Sequence, residues 1–336
     1  MVTVKDIAKK AGVSPGTVSK ALSGRGDVSS TTRRRIKKVA EELGYIPNFI
    51  ARSLVINKTN TIGLVTPYLG NPALIERIRG VQEASLSRGY LLISCFNEGE
   101  EKEEIEEIEA LLSRKIDGLI ITPSGDSKGL RMLIEGIDVP VVLMSEIIEG
   151  LDCDFVGEDD YEGGRIATDY LIGLGHRNIA YLGNSPDIYS DREILKGYRD
   201  ILERYGIGYR EEYILWGNTE KGGLIENIGK LMSMSEIPTG VICWSDIIAI
   251  EVLKGLEGMG KKIPEDISVI GYDNIEMLSF FHIPLTTIGQ PNFLIGKKAV
   301  ELLLERIEKN GENEPSHKVV FKPSLIVRNS TGPVKR

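Results

Sequence analysis

Apolar side chains in the first 46 residues occur in three short blocks at helical spacing. These positions are Ile7, Ala8, Ala11, Val18, Leu22, Ile36, Val39, Ala40 and Leu43. Residues three or four apart lie on one face of a helix, so the pattern predicts three short helices that share one small core.

Capping residues mark the ends of these helices. Thr3 and Asp6 fit a capping box before the first helix, and Gly12 is typical of a left-handed helix end. Ser14 and Pro15 suit the N-cap and first position of the second helix. The other ends are expected at Gly24, Ser29 and Gly44. Two short helices joined by a tight turn predict a helix-turn-helix, whose second helix enters the major groove of DNA.

Exposed residues on this second helix are candidates for reading bases. Pro15, Gly16 and Thr17 lie at its N-terminal end, where recognition helices contact base edges, and Lys20 is its main hydrogen-bonding side chain. The plainer alternative is a solvated surface. Residues expected to contact phosphates are Thr3, Ser14, Ser19, Arg33 and Asn48.

Beyond residue 60 the pattern changes to short apolar runs that alternate with amphipathic stretches. The predicted strands are Thr61–Thr66, Leu91–Ser94, Gly118–Ile121, Val141–Met144, Phe155–Val156, Ile179–Leu182, Gly240–Cys243, Ser268–Tyr272 and Leu285–Ile288. The predicted helices include Ala73–Arg88, Glu101–Arg114, Glu162–Leu174, Ile194–Tyr205 and Asp246–Met259. This alternation predicts parallel sheets covered by helices, and the length of the region predicts two such lobes.

Charge separates the two regions. Residues 1–58 contain 12 Lys and Arg against 4 Asp and Glu, whereas the whole chain has a net charge of −8. The head therefore has a net charge of +8 and the remainder a net charge of −16. This difference favours a head that binds a polyanion and a body that does not.

Bulk composition indicates a soluble cytoplasmic protein. The first residues lack the apolar core of a secretory signal, and no apolar run approaches the length of a membrane span. Cys95, Cys153 and Cys243 are far apart, which predicts reduced thiols. The three histidines are equally dispersed, so neither a metal site nor a cofactor is expected.

The head resembles the DNA-binding domain of the lactose-repressor (LacI/GalR) family of bacterial transcription regulators. The matching segments are VKDIAKKAGVS, TVSKAL, VSSTTRRRIKKVAEELGY and PNFIARSL. The resemblance implies a hinge that folds on the operator and inserts a leucine into the minor groove. Leu54 matches that leucine and Ala51 lies beside it. An apolar wedge on a basic segment fits the known way of kinking DNA from the minor groove. The alternative is a buried linker residue.

The body also resembles this family, in segments such as IGLVTPYLGNP, VGEDDYEGGRIATDYLIGLGHRNIAYLGN and IPEDISVIGYDN. The resemblance implies two lobes like those of periplasmic sugar-binding proteins, with an effector bound between them. Ligands of open α/β sheets bind at the carboxyl ends of the strands. The expected effector-binding residues are Tyr68, Asn71, Ser124, Ser145, Tyr189, Arg192, Trp244, Ser245, Asp246, Asp273 and Gln290. For each, the alternative is a cap, turn or surface ion pair.

Four positions depart from the family pattern in this cleft. Ser145 and Ser245 stand where the family usually has Asp and Asn. Ile194 stands where it usually has Arg, and Trp244 where it has a small residue. The site thus loses an anion, a guanidinium and an amide and gains an indole, which can stack on a ligand ring. A simple hexose or pentose effector is therefore not expected.

The sequence segments that resemble enzyme motifs match them only in part. Gly255–Lys261 fits the first seven positions of a phosphate-binding loop, but Lys262 replaces the Ser or Thr that would hold magnesium, and a helix precedes the motif. Glu158, Asp159 and Asp160 are adjacent carboxylates, for which capping of the following helix and compensation of its dipole suffice.

Two functions remain after these exclusions. The first is a dimeric repressor that binds a pseudo-palindromic operator and responds to a small molecule. The second is a cytoplasmic small-molecule-binding module without a DNA role. The expected organisation is a DNA-binding domain at 1–46, a hinge and linker at 47–60 and a core at 61–336. The core divides into an N-lobe (about 61–158 and 289–318) and a C-lobe (about 159–288 and 319–331).

Overall fold

The computed structural model describes residues 2–23, 28–45, 58–67, 69–217, 224–309 and 315–335. The chain divides into two compact units, Met1–Thr59 and Asn60–Arg336. The predicted hinge residues Asn48, Ala51 and Leu54 and the predicted cleft residue Tyr68 lie outside the described residues.

The first unit contains three described helices, α1 (Val4–Ala11), α2 (Pro15–Ser23) and α3 (Ser30–Glu42). The capping box is present, because the backbone N–H and the hydroxyl of Thr3 both donate to Asp6 Oδ2, at 2.8 and 2.7 Å. Gly12 ends α1 with a φ of 64°, in the left-handed region that favours glycine. The predicted head helices are therefore confirmed to within about two residues.

The second unit contains two six-stranded sheets. The strands of the first are β1 (Thr61–Pro67), β2 (Leu91–Asn97), β3 (Gly118–Ile121), β4 (Val141–Met144), β5 (Asp154–Glu158) and β11 (Lys318–Phe321), in the order β11-β5-β4-β3-β1-β2. Those of the second are β6 (Ile179–Gly183), β7 (Ile214–Trp216), β8 (Gly240–Cys243), β9 (Ser268–Asp273), β10 (Thr286–Gly289) and β12 (Ser324–Ile326), in the order β12-β10-β9-β8-β6-β7. The described pairings are parallel except that of β10 with β12.

Helices connect the strands of each sheet. They are α4 (Pro72–Ser87), α5 (Glu101–Ser113), α6 (Lys128–Glu135), α7 (Asp160–Gly173), α8 (Tyr189–Arg204), α9 (Leu224–Met232), α10 (Asp246–Gly258) and α11 (Asn292–Glu308). The predicted two-lobed α/β fold is confirmed. Three short strands, β7, β11 and β12, were not predicted, and α8 begins five residues before its predicted start at Ile194. The proposed lobe limits stay predictions, although β11 continues the first sheet to Phe321.

Close glycine contacts hold one helix pair together in each lobe. A Cβ on Gly296 of α11 would lie 2.0 Å from the carbonyl oxygen of Arg77 on α4. A Cβ on Gly164 of α7 would lie 2.1 Å from the carbonyl oxygen of Ile194 on α8. Only glycine permits such an approach, so these contacts fix the backbones that carry Arg77 and Ile194.

Candidate functional site

The head exposes the face of α2 that was predicted to read bases. Pro15, Gly16 and Lys20 are exposed, and Thr17 is half-buried. The Ser14 side chain caps the helix, since its Oγ accepts from the backbone N–H of Thr17 at 3.1 Å. The Ser14 and Thr17 hydroxyls also lie 2.8 Å apart. Below this face the core contains Ile7, Val18 and Ile36, which are fully buried, so the face is held on a packed base.

Basic side chains are exposed on the other two head helices. The exposed ones are Lys5, Lys9, Lys10, Arg34, Arg35, Lys37 and Lys38, and Arg33 is half-buried. Lys10 forms an ion pair with Glu42 at 3.0 Å, which links α1 to α3. The remaining positive charge suits the phosphate backbone of a nucleic acid.

The second unit holds a cavity of about 110 Å³ whose walls come from both lobes. It lies at the carboxyl ends of β1, β3, β4 and β5 in the N-lobe and β8 and β9 in the C-lobe, where such sheets bind ligands. The structure brings six predicted effector-binding residues together on its walls: Asn71, Ser124, Ser145, Trp244, Asp273 and Gln290. Ile194, predicted to replace a family arginine, also lines it.

Four other predicted residues lie outside the cavity lining, which corrects their expected placement. Ser245 caps α10 by accepting the N–H of Ile248 at 3.2 Å. Asp246 is fully buried and accepts from the Thr287 hydroxyl at 2.6 Å. Arg192 forms an ion pair with Glu149 at 3.0 Å, so the surface alternative describes it better. Tyr189 opens α8, and its neighbour Ser190 lines the cavity instead.

Sequence reasoning missed several residues of the site, among them Glu146, Ser190 and Arg77. The Arg77 guanidinium is buried and donates to the side chains of four residues: Ser145, Gln290, Asn292 (2.7 Å) and Glu158 (2.7 Å). A guanidinium is thus present in the cavity wall, carried by α4. Helical periodicity alone does not distinguish Arg77 from a charged residue on the solvated face of α4.

The expectation that helix capping and dipole compensation suffice for Glu158, Asp159 and Asp160 is incomplete, although Asp159 caps α7 and Asp160 lies in its first turn. Asp159 Oδ1 accepts from Glu162 N at 3.0 Å. Glu158 and Asp160 line the cavity, and they are 6% and 3% exposed. Burial and the neighbouring Glu158 and Glu146 carboxylates raise the pKa of Asp160 well above its ordinary value.

Glu146 joins the two lobes at the rim of the cavity. Its oxygens accept from the backbone N–H and the hydroxyl of Ser190. Trp244 Nε1 donates to the same Ser190 hydroxyl at 3.0 Å, which fixes the indole against the cavity. Burial raises the pKa of Glu146 to about 7.

Two lining residues have unusual backbone conformations. Ser145 has a φ of 68° and Asp273 a φ of 122°, and neither is glycine. Strained backbone of this kind clusters at ligand-binding sites, where the surrounding packing holds it.

Within the described ranges, no group of three or more His, Cys, Asp or Glu side chains is arranged to hold a metal ion. No described helix is both long and apolar enough to cross a membrane.

Comparison with known proteins assigns the family. Residues 3–48 match the model of bacterial regulatory proteins of the lacI family, and residues 168–331 match a periplasmic binding protein-like domain. The HTH-type transcriptional repressor PurR of Vibrio campbellii is 38% identical over 333 residues, which cover 98% of each chain. The chain belongs to the LacI family.

Solved structures of LacI-family regulators agree with this assignment. A lac repressor dimer bound to operator and the anti-inducer ONPF has a TM-score of 0.87 at 26% identity and covers 98% of this chain and 99% of its own. A complex of the regulator CelR with cellobiose has a TM-score of 0.74 at 29% identity. The match covers 98% of this chain and 100% of the CelR chain. The chain is therefore a DNA-binding transcription repressor of this family, and not an enzyme. The match over residues 3–48 favours this function over a binding module without a DNA role.

Proposed function

We propose that this LacI-family chain binds a two-fold symmetric operator as a homodimer, and that a small molecule in the cavity between the lobes changes its operator affinity. The observation that carries the proposal is that both lobes line one cavity and are joined across it by hydrogen bonds. A ligand that binds one arrangement of the lobes better than another shifts the equilibrium by that difference in affinity.

A ligand can change the arrangement of the lobes through three contacts between them. Glu146 accepts from Ser190, Asn71 Nδ2 donates to Asp273 Oδ2 at 3.3 Å, and Arg192 pairs with Glu149. The first two involve cavity-lining residues. A bound molecule that competes with or reinforces them therefore changes the balance between open and closed lobes. We expect no cofactor besides this ligand, and a cytoplasmic location beside the DNA.

The head residues have distinct proposed roles. Pro15, Gly16, Thr17 and Lys20 face the bases of the major groove. Thr3, Ser14, Ser19, Arg33 and Asn48 contact phosphates. Since proline and glycine side chains offer no hydrogen bonds to bases, discrimination depends on Lys20, on Thr17 and on the hinge. In the hinge, Ala51 and Leu54 enter the minor groove, where an apolar wedge unstacks a base step.

Selection from a pool of random duplex DNA tests the proposal. The full-length protein is expected to enrich a two-fold symmetric site, because each protomer of a homodimer reads one half-site. Footprinting of the enriched site should show two protected major grooves. Enrichment of a single half-site, or of no sequence at all, would overturn the dimeric operator model.

A further inference from the structure

We propose that the cavity between the lobes takes a cationic, hydroxylated ligand, that is, an amine carried on a small polyol or sugar. This inference rests on the proposed function, since it names the chemical class of the effector. It is carried by the charges, the unpartnered polar atoms and the apolar wall of the cavity.

The described walls of the cavity carry more acidic than basic side chains. The carboxylates are those of Glu146, Glu158, Asp160 and Asp273, and the cation is Arg77. Arg77 is already engaged with the side chains of Ser145, Glu158, Gln290 and Asn292. Burial and the neighbouring carboxylates raise the pKa values of Glu146, Asp160 and Asp273. An anionic ligand would add to this repulsion, whereas an ammonium group would relieve it and favour the ionised form of the carboxyls.

Unpartnered oxygen atoms in the cavity wall require hydrogen-bond donors. Glu158 Oε2 and Asp160 Oδ2 are buried and have no hydrogen-bond partner. The hydroxyls of Thr66 and Thr122 line the same cavity and are also buried without a partner, on residues 0% and 9% exposed. A protonated carboxyl can donate, but an ammonium bound beside it favours the carboxylate, whose unpartnered oxygen then accepts from the ammonium. The threonine hydroxyls can both donate and accept, which suits ligand hydroxyls. Buried polar atoms without partners are rare in folded proteins, and here four of them share one cavity.

An apolar wall faces these polar atoms. It includes Trp244, Leu74, Ile188 and Ile194. The hydrogen bond of Trp244 Nε1 to Ser190 fixes the indole ring. An indole face attracts a cation and packs against the C–H face of a sugar. The cavity volume of about 110 Å³ restricts the ligand to a small molecule.

The inference is tested with matched ligand series on the full-length protein. One series is glucosamine, glucose and glucuronate, and a smaller one is 2-amino-1,3-propanediol, glycerol and glycerate. Within a series the size is nearly constant while the charge changes. Calorimetry and thermal shift should show an amine binding at least tenfold tighter than its neutral and acidic counterparts. Equal or tighter binding of a neutral or acidic member, or no binding by any amine, would overturn the inference.

Asp160→Asn is the matched variant, because it removes the ionisable carboxyl that would pair with the ammonium and keeps the side-chain volume. It should lower amine affinity at least tenfold without lowering the melting temperature of the free protein. Glu162→Gln is the control, since that partly exposed carboxylate on the same helix pairs with Arg165. It should leave amine affinity unchanged. If Asp160→Asn fails to fold, Thr122→Val takes its place and should weaken the amine at least threefold. Unchanged amine affinity in the folded variant would contradict the inference.

A separate readout distinguishes this inference from the proposed function. Operator affinity is measured with each ligand that binds. A neutral sugar that binds and alters operator affinity would overturn the cationic class while supporting the proposed function. An amine that binds tightly through Asp160 without altering operator affinity would support the cationic class and count against effector control.

Discussion

Glu146 of the N-lobe accepts two hydrogen bonds from Ser190 of the C-lobe, one from its backbone N–H at 3.2 Å and one from its hydroxyl at 2.5 Å. A single carboxylate thereby ties the strand end after β4 to the first turn of α8. The same serine accepts from the Trp244 indole, so the contact between the lobes and the cavity wall are one network. A ligand that disturbs Trp244 therefore acts on the contact between the lobes.

Glu146→Gln tests this network. The glutamine amide offers one acceptor oxygen instead of two, so Ser190 loses a partner. Losing one such bond costs about 1 kcal/mol, or about fivefold in the opening equilibrium. We expect amide hydrogen exchange in the first turn of α8 to become about fivefold faster.

The matched control for this variant is Glu149→Gln. Glu149 also joins the lobes, through Arg192, but its side chain is 64% exposed. Exposed ion pairs contribute little, so exchange in α8 should change less than twofold. Equal effects of the two variants would show that Glu146 has no special part in holding the lobes together.

Buried carboxylates predict how the stability of the core depends on pH. Burial raises the pKa of Glu104, Asp191 and Asp246 to about 7 in each case. These groups favour the folded state while protonated, and that contribution is lost as the pH rises through about 7. The free energy of unfolding should therefore fall by roughly 1–3 kcal/mol from pH 6.5 to 8.

Denaturant titrations at the two pH values measure this effect. Burial lowers the pKa of His176 below its unfolded value of 6.5, so its stabilising contribution still rises by about 0.4 kcal/mol above pH 6.5 and offsets only a small part of the fall. An unfolding free energy that rises from pH 6.5 to 8 would contradict the assignment of raised carboxyl pKa values.

Lys20→Ala tests base reading by α2. The exposed lysine is expected to donate to guanine O6 and N7, so its loss should relax preference at one base pair by roughly 1–3 kcal/mol. Binding to a set of single-base operator variants gives that preference. Lys37→Ala on α3 is the control and should weaken all variants alike, as a phosphate contact does. If Lys20→Ala also weakened all variants equally, Lys20 would be a phosphate contact.

Gly80→Ala tests how the cavity arginine is held in place. A Cβ on Gly80 of α4 would lie 2.1 Å from the carbonyl oxygen of Phe293 on α11, so the helices must move apart. Overpacking of this kind costs about 1–3 kcal/mol, and we expect a matching loss of unfolding free energy. Gly229→Ala in α9 is the control, since nothing lies within 4 Å of its added Cβ. It should be neutral or stabilising, and similar losses in both variants would exclude the packing explanation.

The sequence predicted elements more reliably than it predicted the cavity wall. Capping residues and apolar periodicity are local, so Thr3, Gly12 and Ser29 marked the head helices correctly. Asn71 and Ser124 were found because strand ends meet at one edge of a sheet. Arg77 was missed because it lies within a helix, and only the packing of α4 on α11 brings it to the cavity.

Adjacent carboxylates show the limit of local reasoning most clearly. Asp159 caps α7 as its position indicates, while Glu158 and Asp160 on either side of it line the cavity. Their surroundings depend on Arg77 and Tyr272, which are far away in sequence. The opposite error concerns Ser245 and Asp246. Their positions at a strand end predicted that they line the cavity, but they form hydrogen bonds to the backbone of Ile248 and Ile275 and do not line it.

Operator affinity measured as a function of ligand concentration tests the central claim most directly. The titration uses the selected operator, the amine that binds most tightly, and wild-type and Trp244→Ala proteins. Coupling between two sites typically changes affinity 5- to 150-fold. The wild type should change its operator affinity at least fivefold at saturating ligand, while the operator affinity of Trp244→Ala, compared with its own value without ligand, should respond at least fivefold less. Unchanged operator affinity of the wild type at saturating ligand would contradict control through the cavity.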